Sequence, residues 1–192
     1  MLNQEQALEL FKKSGALLEG HFILTSGRHS NRYIQCAQVL RFPEYSSKLC
    51  SELAGRFKGE PIDLVVGPAV GGILVAYEVS RHLEVPNIFT ERENGLMTLR
   101  RGFKIDPGQK VLVVEDVTTT GGSVKEVINL VTSAGGKVVG VGTLIDRSGG
   151  QADFGVKKEA VITLEVPSWE PQDCPLCAKG ELAIKPGSRG LK

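Results

Sequence analysis

A doubly wound α/β fold around a parallel sheet is what this sequence predicts, on three observations. Short β-branched runs alternate with helical patterns along the chain. Several runs are apolar at successive positions, as a strand covered by helices on both sides must be. Three of them end in glycine-rich or hydroxyl-rich loops at 67–72, 115–123 and 146–150, and ligands of such sheets collect beyond the carboxyl ends of the strands.

In chain order, the first residues, MLNQEQALELFKKSG, suit an amphipathic helix with Leu2, Ala7, Leu10 and Phe11 on its apolar face. YIQCA at 33–37 reads as a strand. The segment 42–57 opens with a proline and reads as a helix. DLVVG at 63–67 is a buried strand, and GPAVGG turns it into a helix over 71–83. PNIFTE at 86–91 and KVLVVE at 110–115 are strands. The helix over 122–136 carries Val124, Val127, Ile128 and Val131 at i, i+3, i+4 and i+7, and Gly135-Gly136 ends it. KVVGVGTLID at 137–146 and AVITLEV at 160–166 complete the strands.

A length of 192 residues suits one domain, and an apolar fraction of 41% supports a core. A net charge of +1 gives no sign of nucleic acid as a partner. No apolar run approaches the roughly 18–20 residues that span a bilayer. Acids appear early and no apolar signal-peptide core follows, so a soluble cytoplasmic protein with no membrane partner is expected.

VLVVEDVTTTGGS at 111–123 carries the chemistry. Its second half pairs hydroxyls at Thr118, Thr119, Thr120 and Ser123 with glycines that open a helix. Free backbone amides there cradle a phosphate. The lysine of a P-loop is absent, and so is a GxGxxG dinucleotide fingerprint. Glu115 and Asp116 would repel a phosphate unless they accept hydrogen bonds from sugar hydroxyls or hold a magnesium ion or its waters. Acids for a ribose followed by donors for its 5′-phosphate describe a phosphorylated ribose. The plain alternative is that both acids cap a strand end and the next helix.

This stretch resembles the signature of the type I phosphoribosyltransferases, which bind phosphoribosyl pyrophosphate (PRPP). The resemblance implies a parallel-sheet core, about 40–150, and a small hood from the chain termini, about 1–38 and 151–192, forming a single domain. It also implies magnesium, held mainly by PRPP with no direct protein ligand, and displacement of pyrophosphate from ribose C1 by a nitrogen base. A second segment, HFILTSGRHSNRYIQC at 21–36, is similar to the N-terminal pattern of the orotate phosphoribosyltransferases through Phe22, Leu24, Ser26, Gly27, Ser30 and Tyr33. The implied activity joins orotate and PRPP into orotidine 5′-monophosphate and pyrophosphate, a step of de novo pyrimidine (UMP) biosynthesis.

Carried over by that resemblance, Glu115 and Asp116 contact the ribose hydroxyls. Val117, Thr118, Thr119, Thr120, Gly121, Gly122 and Ser123 bind the rest of PRPP around its 5′-phosphate. Ala69, Val70 and Gly71 offer backbone amides to the diphosphate. Thr119, Arg147, Ser26 and Tyr33 bind orotate, with a guanidinium–carboxylate pairing as the reason for Arg147. RENGLMTLRRGF at 92–103 corresponds to a mobile catalytic loop, with Arg92 beside Glu115 and Asp116 as catalytic residues and Arg100 and Arg101 as further cations. In relatives this loop reaches a neighbouring subunit's site, which implies a homodimer.

Departures accompany the likeness. The 92–103 loop has no lysine or histidine, Thr25 replaces a lysine before Ser-Gly-Arg, and Gly71 replaces another in the pyrophosphate loop. Arg28, Arg32, the loop arginines or His29 are the candidate substitutes. They leave open a purine base as acceptor, or a PRPP-sensing regulator without catalysis, although +1 net charge and no room for a DNA-binding domain disfavour the latter.

The tail PSWEPQDCPLCAKGELAIKPGSRG at 167–190 holds Cys174-Pro-Leu-Cys177. Two cysteines do not complete a tetrahedral zinc site. Cys36, His21 and His29 are possible additions that spacing does not support. A redox role is disfavoured because the motif is not expected to follow a strand and open a helix. A structural turn or a disulfide is the preferred reading. A similar tail marks a branch of orotate phosphoribosyltransferases from thermophilic and related bacteria.

Overall fold

The computed structural model describes residues 2–24 and 26–186; Thr25 and the end of the tail from 187 lie outside them. Six strands form the main sheet in the order β5-β4-β3-β6-β7-β8, where β3 is Leu64–Pro68, β4 Asn87–Glu93, β5 Leu96–Leu99, β6 Lys110–Thr118, β7 Lys137–Asp146 and β8 Lys158–Thr163. All pair in parallel except β5, which returns antiparallel along β4. This mostly parallel α/β sheet is the fold class expected.

The central strands are apolar on both faces because both are covered. Val65, Leu112, Val114 and Leu144 pack with α3 (Pro43–Gly55) and α4 (Gly71–Leu83). Leu64, Val66, Val111, Val113 and Val141 pack with α5 (Gly122–Ser133) through Val124, Val127 and Val131. β7 approaches the turn after α3 so closely that a Cβ on Gly140 would stand 2.6 Å from the Phe57 ring, so only glycine fits. α1 (Gln4–Lys13) forms as the amphipathic pattern predicts. Asn3 caps it reciprocally with Gln6, and Ala7 and Phe11 are fully buried.

Outside the sheet, β1 (Leu17–Ile23) and β2 (His29–Ile34) make a separate antiparallel hairpin. The tail runs beside it. Ile23 N donates to Ile184 O at 2.8 Å, Ile184 N to His21 O at 2.8 Å, and His29 and Trp169 exchange backbone bonds at 2.8 and 2.9 Å.

Five elements differ from expectation. The strand expected at 33–37 ends at Ile34, and α2 (Cys36–Leu40) begins; Cys36, Val39 and Leu40 form a buried helical face that a short window hides. β1 was not expected, because a bulge between Glu19 and Phe22 breaks its alternation. The segment 92–103 is not an open loop. β4 extends to Glu93 and returns as β5 through Asn94-Gly95, both at positive φ (51° and 83°) as a tight hairpin turn requires. Finally β6 runs on through the acids to Thr118, and β8, assigned to the hood region, joins the main sheet.

Candidate active site

β6 positions the acids. It lies between β3 and β7, and its ladder with β7 continues at Glu115–Thr143, Val117–Ile145 and Thr118–Asp146. Glu115 is 8% exposed. Asp116 N donates to Glu115 Oε1 at 3.1 Å, and Val117 N donates to Asp116 Oδ1 at 2.8 Å. Burial raises the pKa of both carboxyls, and for Glu115 the neighbouring Asp116 charge raises it further. Two adjacent carboxyl groups, largely removed from water, are placed to accept hydrogen bonds.

The glycines of the 67–72 turn press against these acids. A Cβ on Gly71 would fall on the Asp116 carboxylate, and one on Gly72 would stand 2.8 Å from Pro68 Cδ and 3.2 Å from Glu115 Oε1. Lysine therefore has no room at 71 in this arrangement. Ala69, Val70 and Gly71 lie at the carboxyl end of β3, and the Ala69–Val70 peptide is cis.

Beyond Thr118 the chain turns into α5. Gly121 holds φ 78° against the Phe154 ring, and no side chain caps the helix. Arg92, Glu115, Glu126 and residues 117–124 line a cavity of about 250 Å³ here. Thr118 Oγ1 is buried with no hydrogen-bond partner among the described residues. An uncapped helix start with an orphaned hydroxyl beside it fits a phosphate.

A second cavity of about 460 Å³ is lined by Thr119, Thr120, Arg147, Ser148, Gln151 and Glu165 among others. Thr119 and Thr120 thus form a wall common to both. Arg147 Nε is buried without a partner among the described residues. Burial lowers the guanidinium's pKa, opposed by the nearby Cys36 and Tyr33. The loop that carries it is tied down: Asp146 accepts from Ser148 N at 2.8 Å, Ser148 Oγ at 2.6 Å and Lys158 Nζ at 3.0 Å.

The structure thus brings together Glu115, Asp116, the 117–123 cradle, Arg92, Thr119 and Arg147. It leaves Ser26 on the hood hairpin, where its hydroxyl accepts from Arg28 N at 3.4 Å, and Tyr33 there donates to Gln35 Oε1 at 3.0 Å. The candidate substitute cations are occupied. Arg92 meets Glu126 at 2.8 Å, Arg101 meets Glu91 at 2.8 Å, Arg100 meets Glu93 at 3.6 Å and Arg28 pairs with Glu170. Arg32 lies 3.8 Å from Glu19. His29 lies 3.2 Å from Cys177 Sγ, turned to the tail rather than free as a donor. Sequence reading missed the roles of Gly72, Ser148 and Lys158, which support the site through its backbone; the glycine cluster signalled only the first.

A parallel sheet whose central strand ends in two acids and a threonine–glycine cradle defines a sugar-phosphate transferase site of the phosphoribosyl type. The family profile described as phosphoribosyl transferase domain matches residues 44–176, and the chain belongs to that family. An orotate phosphoribosyltransferase of Desulforamulus reducens is 61% identical over 99% of this chain and 100% of its own. One from Thermotoga maritima is 57% identical over 96% of this chain and 98% of its own. Among solved structures, the orotate phosphoribosyltransferase of Aeropyrum pernix is 31% identical with a TM-score of 0.69, covering 82% of this chain and 93% of that one.

Proposed function

We propose that this chain is an orotate phosphoribosyltransferase, a pentosyltransferase that joins orotate to the phosphoribosyl group of PRPP. The observation that carries this reading is the pair of adjoining cavities with Thr119 and Thr120 between them. One presents an uncapped helix start for a phosphate, and the other presents the partnerless Arg147 Nε for an anionic base. The extent of the likeness to relatives with that name supports it.

In the reaction the bond from ribose C1 to the pyrophosphate oxygen breaks, and a bond to a ring nitrogen of orotate forms. The acceptor reacts from an anionic form, so no strong general base is required. Glu115 and Asp116 accept hydrogen bonds from the ribose hydroxyls and face the cationic ribosyl centre as it develops. Residues 117–123 hold the 5′-phosphate, and the amides of Ala69, Val70 and Gly71 meet the diphosphate. Thr119 and Arg147 orient orotate, while Ser26 and Tyr33 close on it from the hood. Positioning of this kind supplies much of the rate.

Magnesium would be held mainly by PRPP, with Glu115 and Asp116 near enough to its waters to accept from them, and would supply charge neutralisation for the departing pyrophosphate. Arg92 stands at the phosphate cavity. Its exposed pair with Glu126 contributes about 0–1 kcal/mol, so exchanging Glu126 for a phosphate costs little.

The protein acts as a homodimer. Val70, Leu74 and Tyr77, at 81%, 50% and 60% exposure, form an apolar strip beside the diphosphate turn that a second copy would cover. It works in the cytoplasm in de novo UMP synthesis; among the described residues no helix is long and apolar enough to cross a membrane. Loss of orotate absorbance that needs both PRPP and magnesium tests the activity. PRPP binding without orotate consumption would turn the assignment to a purine acceptor or to a sensor.

A further inference from the structure

We propose that His21, His29, Cys174 and Cys177 form a tetrahedral metal site, for zinc or a cation of the same character, that fastens the C-terminal tail to the β1–β2 hairpin. Sequence spacing gives no hint of it, because 145 residues separate His29 from Cys174. The fold brings the two pairs together. His21 lies in the bulged part of β1, His29 opens β2, and Cys174 caps the start of the one-turn helix α6 (Pro175–Ala178) that carries Cys177. Cys36, the other candidate ligand, is elsewhere, its thiol 3.7 Å from the Asp116 carbonyl.

One ligand atom from each of the four residues lies within 4.8 Å of the other three. His21 Nε2 is 2.8 Å from His29 Nδ1, 3.4 Å from Cys174 Sγ and 3.7 Å from Cys177 Sγ, and Cys177 Sγ is 3.2 Å from His29 Nδ1. Zinc bonds of about 2.0–2.1 Å to nitrogen and 2.3 Å to sulfur, at tetrahedral angles, put ligands about 3.3 Å apart for N···N and 3.6 Å for N···S. These four edges lie within about 0.5 Å of those lengths and all four ligand atoms lie within 4.8 Å of one another, so an ion would draw them together by shifts of up to about 1 Å.

The protonation pattern agrees. His21 Nδ1 is 2.8 Å from the Glu181 carbonyl and must donate to it, so the neutral ring's Nε2 lone pair faces the sulfurs. That is the tautomer a metal requires, fixed by an outer hydrogen bond. His21, His29 and Cys174 are 4%, 8% and 2% exposed, while Cys177 lies open at the surface and gives an ion its entry. Two sulfurs and two imidazoles in a tetrahedron select zinc among common ions, and four protein ligands leave no open position, so the site is structural. Cys174-Pro-Leu-Cys177 does open a short helix, contrary to expectation, but a single 3₁₀ turn precedes it rather than a strand.

The experiment is a metal analysis of the reduced full-length chain, followed by cobalt titration of chelator-stripped protein. The expected result is one zinc per chain as purified. Cobalt should give the intense d–d bands of tetrahedral coordination and a thiolate charge-transfer band. Cys177→Ser, at the exposed ligand, should halve that band, and His21→Ala should abolish tetrahedral coordination. Cys50→Ala, on the buried face of α3, should leave both unchanged. Stripping should lower Tm by roughly 10 °C and zinc should restore it. Wild-type protein without zinc and without a cobalt thiolate band would overturn the site. So would a metal load unchanged in Cys177→Ser and His21→Ala, or a Cys174–Cys177 disulfide that persists under reductant. These readouts do not depend on turnover, so they stand apart from the assignment of the reaction.

Discussion

Gly71→Ala separates the needs of the site from the needs of the fold. The added methyl would have all three atoms of the Asp116 carboxylate within 3.0 Å. Ordinary contacts of carbon lie near 3.5–4.0 Å and Asp116 Oδ2 would stand at 2.1 Å, so something must move by about 1.5 Å. β6 cannot yield, since it is held by β3 and β7 on its two sides. The shift falls on the exposed turn at 69–71 or on the Asp116 carboxylate, which would lose its bond from Val117 N. A misplacement of about 1 Å in a positioning element costs on the order of 100-fold. Overpacking costs about 1–3 kcal/mol, or a fall in Tm of roughly 2–12 °C. Orotate consumption followed at varied PRPP should therefore show kcat/KM reduced by about two orders of magnitude in a chain that still melts cooperatively. A variant within about twofold of the parent would refute the claim that these glycines exist to let the turn lie against the acids.

Asp116→Asn should abolish most turnover yet stabilise the protein at alkaline pH. The folded-state pKa values of Glu115 and Asp116 are raised, so stability is fully present below their unfolded values near 4 and is lost as pH rises through the folded values. The Tm of the variant should exceed the parent's at pH 8 and converge with it near pH 4; a constant difference across pH would contradict this. Arg147→Gln should raise KM for orotate by roughly 10- to 100-fold while KM for PRPP changes little, because a charge-assisted bond contributes about 1.5–3 kcal/mol. Asp146 behaves oppositely to the acids of β6. Burial acts to raise its pKa, but bonds from Ser148 and Lys158 outweigh that and hold it below 3.8. Its contribution is present above the unfolded pKa and lost as pH falls through the folded one. Asp146→Asn should therefore lose stability at pH 7 and match the parent near pH 2, as thermal melts will show.

Local patterns made the sheet core legible. DLVVG, PNIFTE, KVLVVE and KVVGVGTLID are short, apolar and bounded by glycine or charge, and each lies on a strand of the main sheet. The 111–123 stretch was legible for the same reason, since acids, hydroxyls and glycines are contiguous there. What failed was information held in register. The bulge at 19–22 erases the period-2 signal of β1, and two of the three buried positions of α2, Val39 and Leu40, lie beyond the five-residue window 33–37 that reads as a strand. The 92–103 segment held its own cue, because Asn94-Gly95 is a hairpin turn, but likeness to a mobile loop took precedence over it.

The histidine–cysteine cluster shows where single-sequence reading ends. Its two halves are short, and each is ordinary alone: a hairpin with histidines at both ends of its turn, and a CxxC that opens one turn of helix. Only the pairing of β1 with Ile184 and of His29 with Trp169 makes them one site. That pairing has a consequence for the active site. The same hairpin carries Ser26, Arg28, Ser30 and Tyr33, and Ser30 Oγ donates to Pro167 O at 2.8 Å while Arg28 Nε donates to Ser168 Oγ at 2.9 Å. The hood residues that would close on the base are thus held by the tail, while Arg147 and the acids are held by the sheet. Loosening the tail should therefore weaken orotate binding before it touches PRPP binding. Calorimetric titration of Arg28→Ala with each ligand checks this, and equal losses for both would show that hood and sheet act as one rigid body.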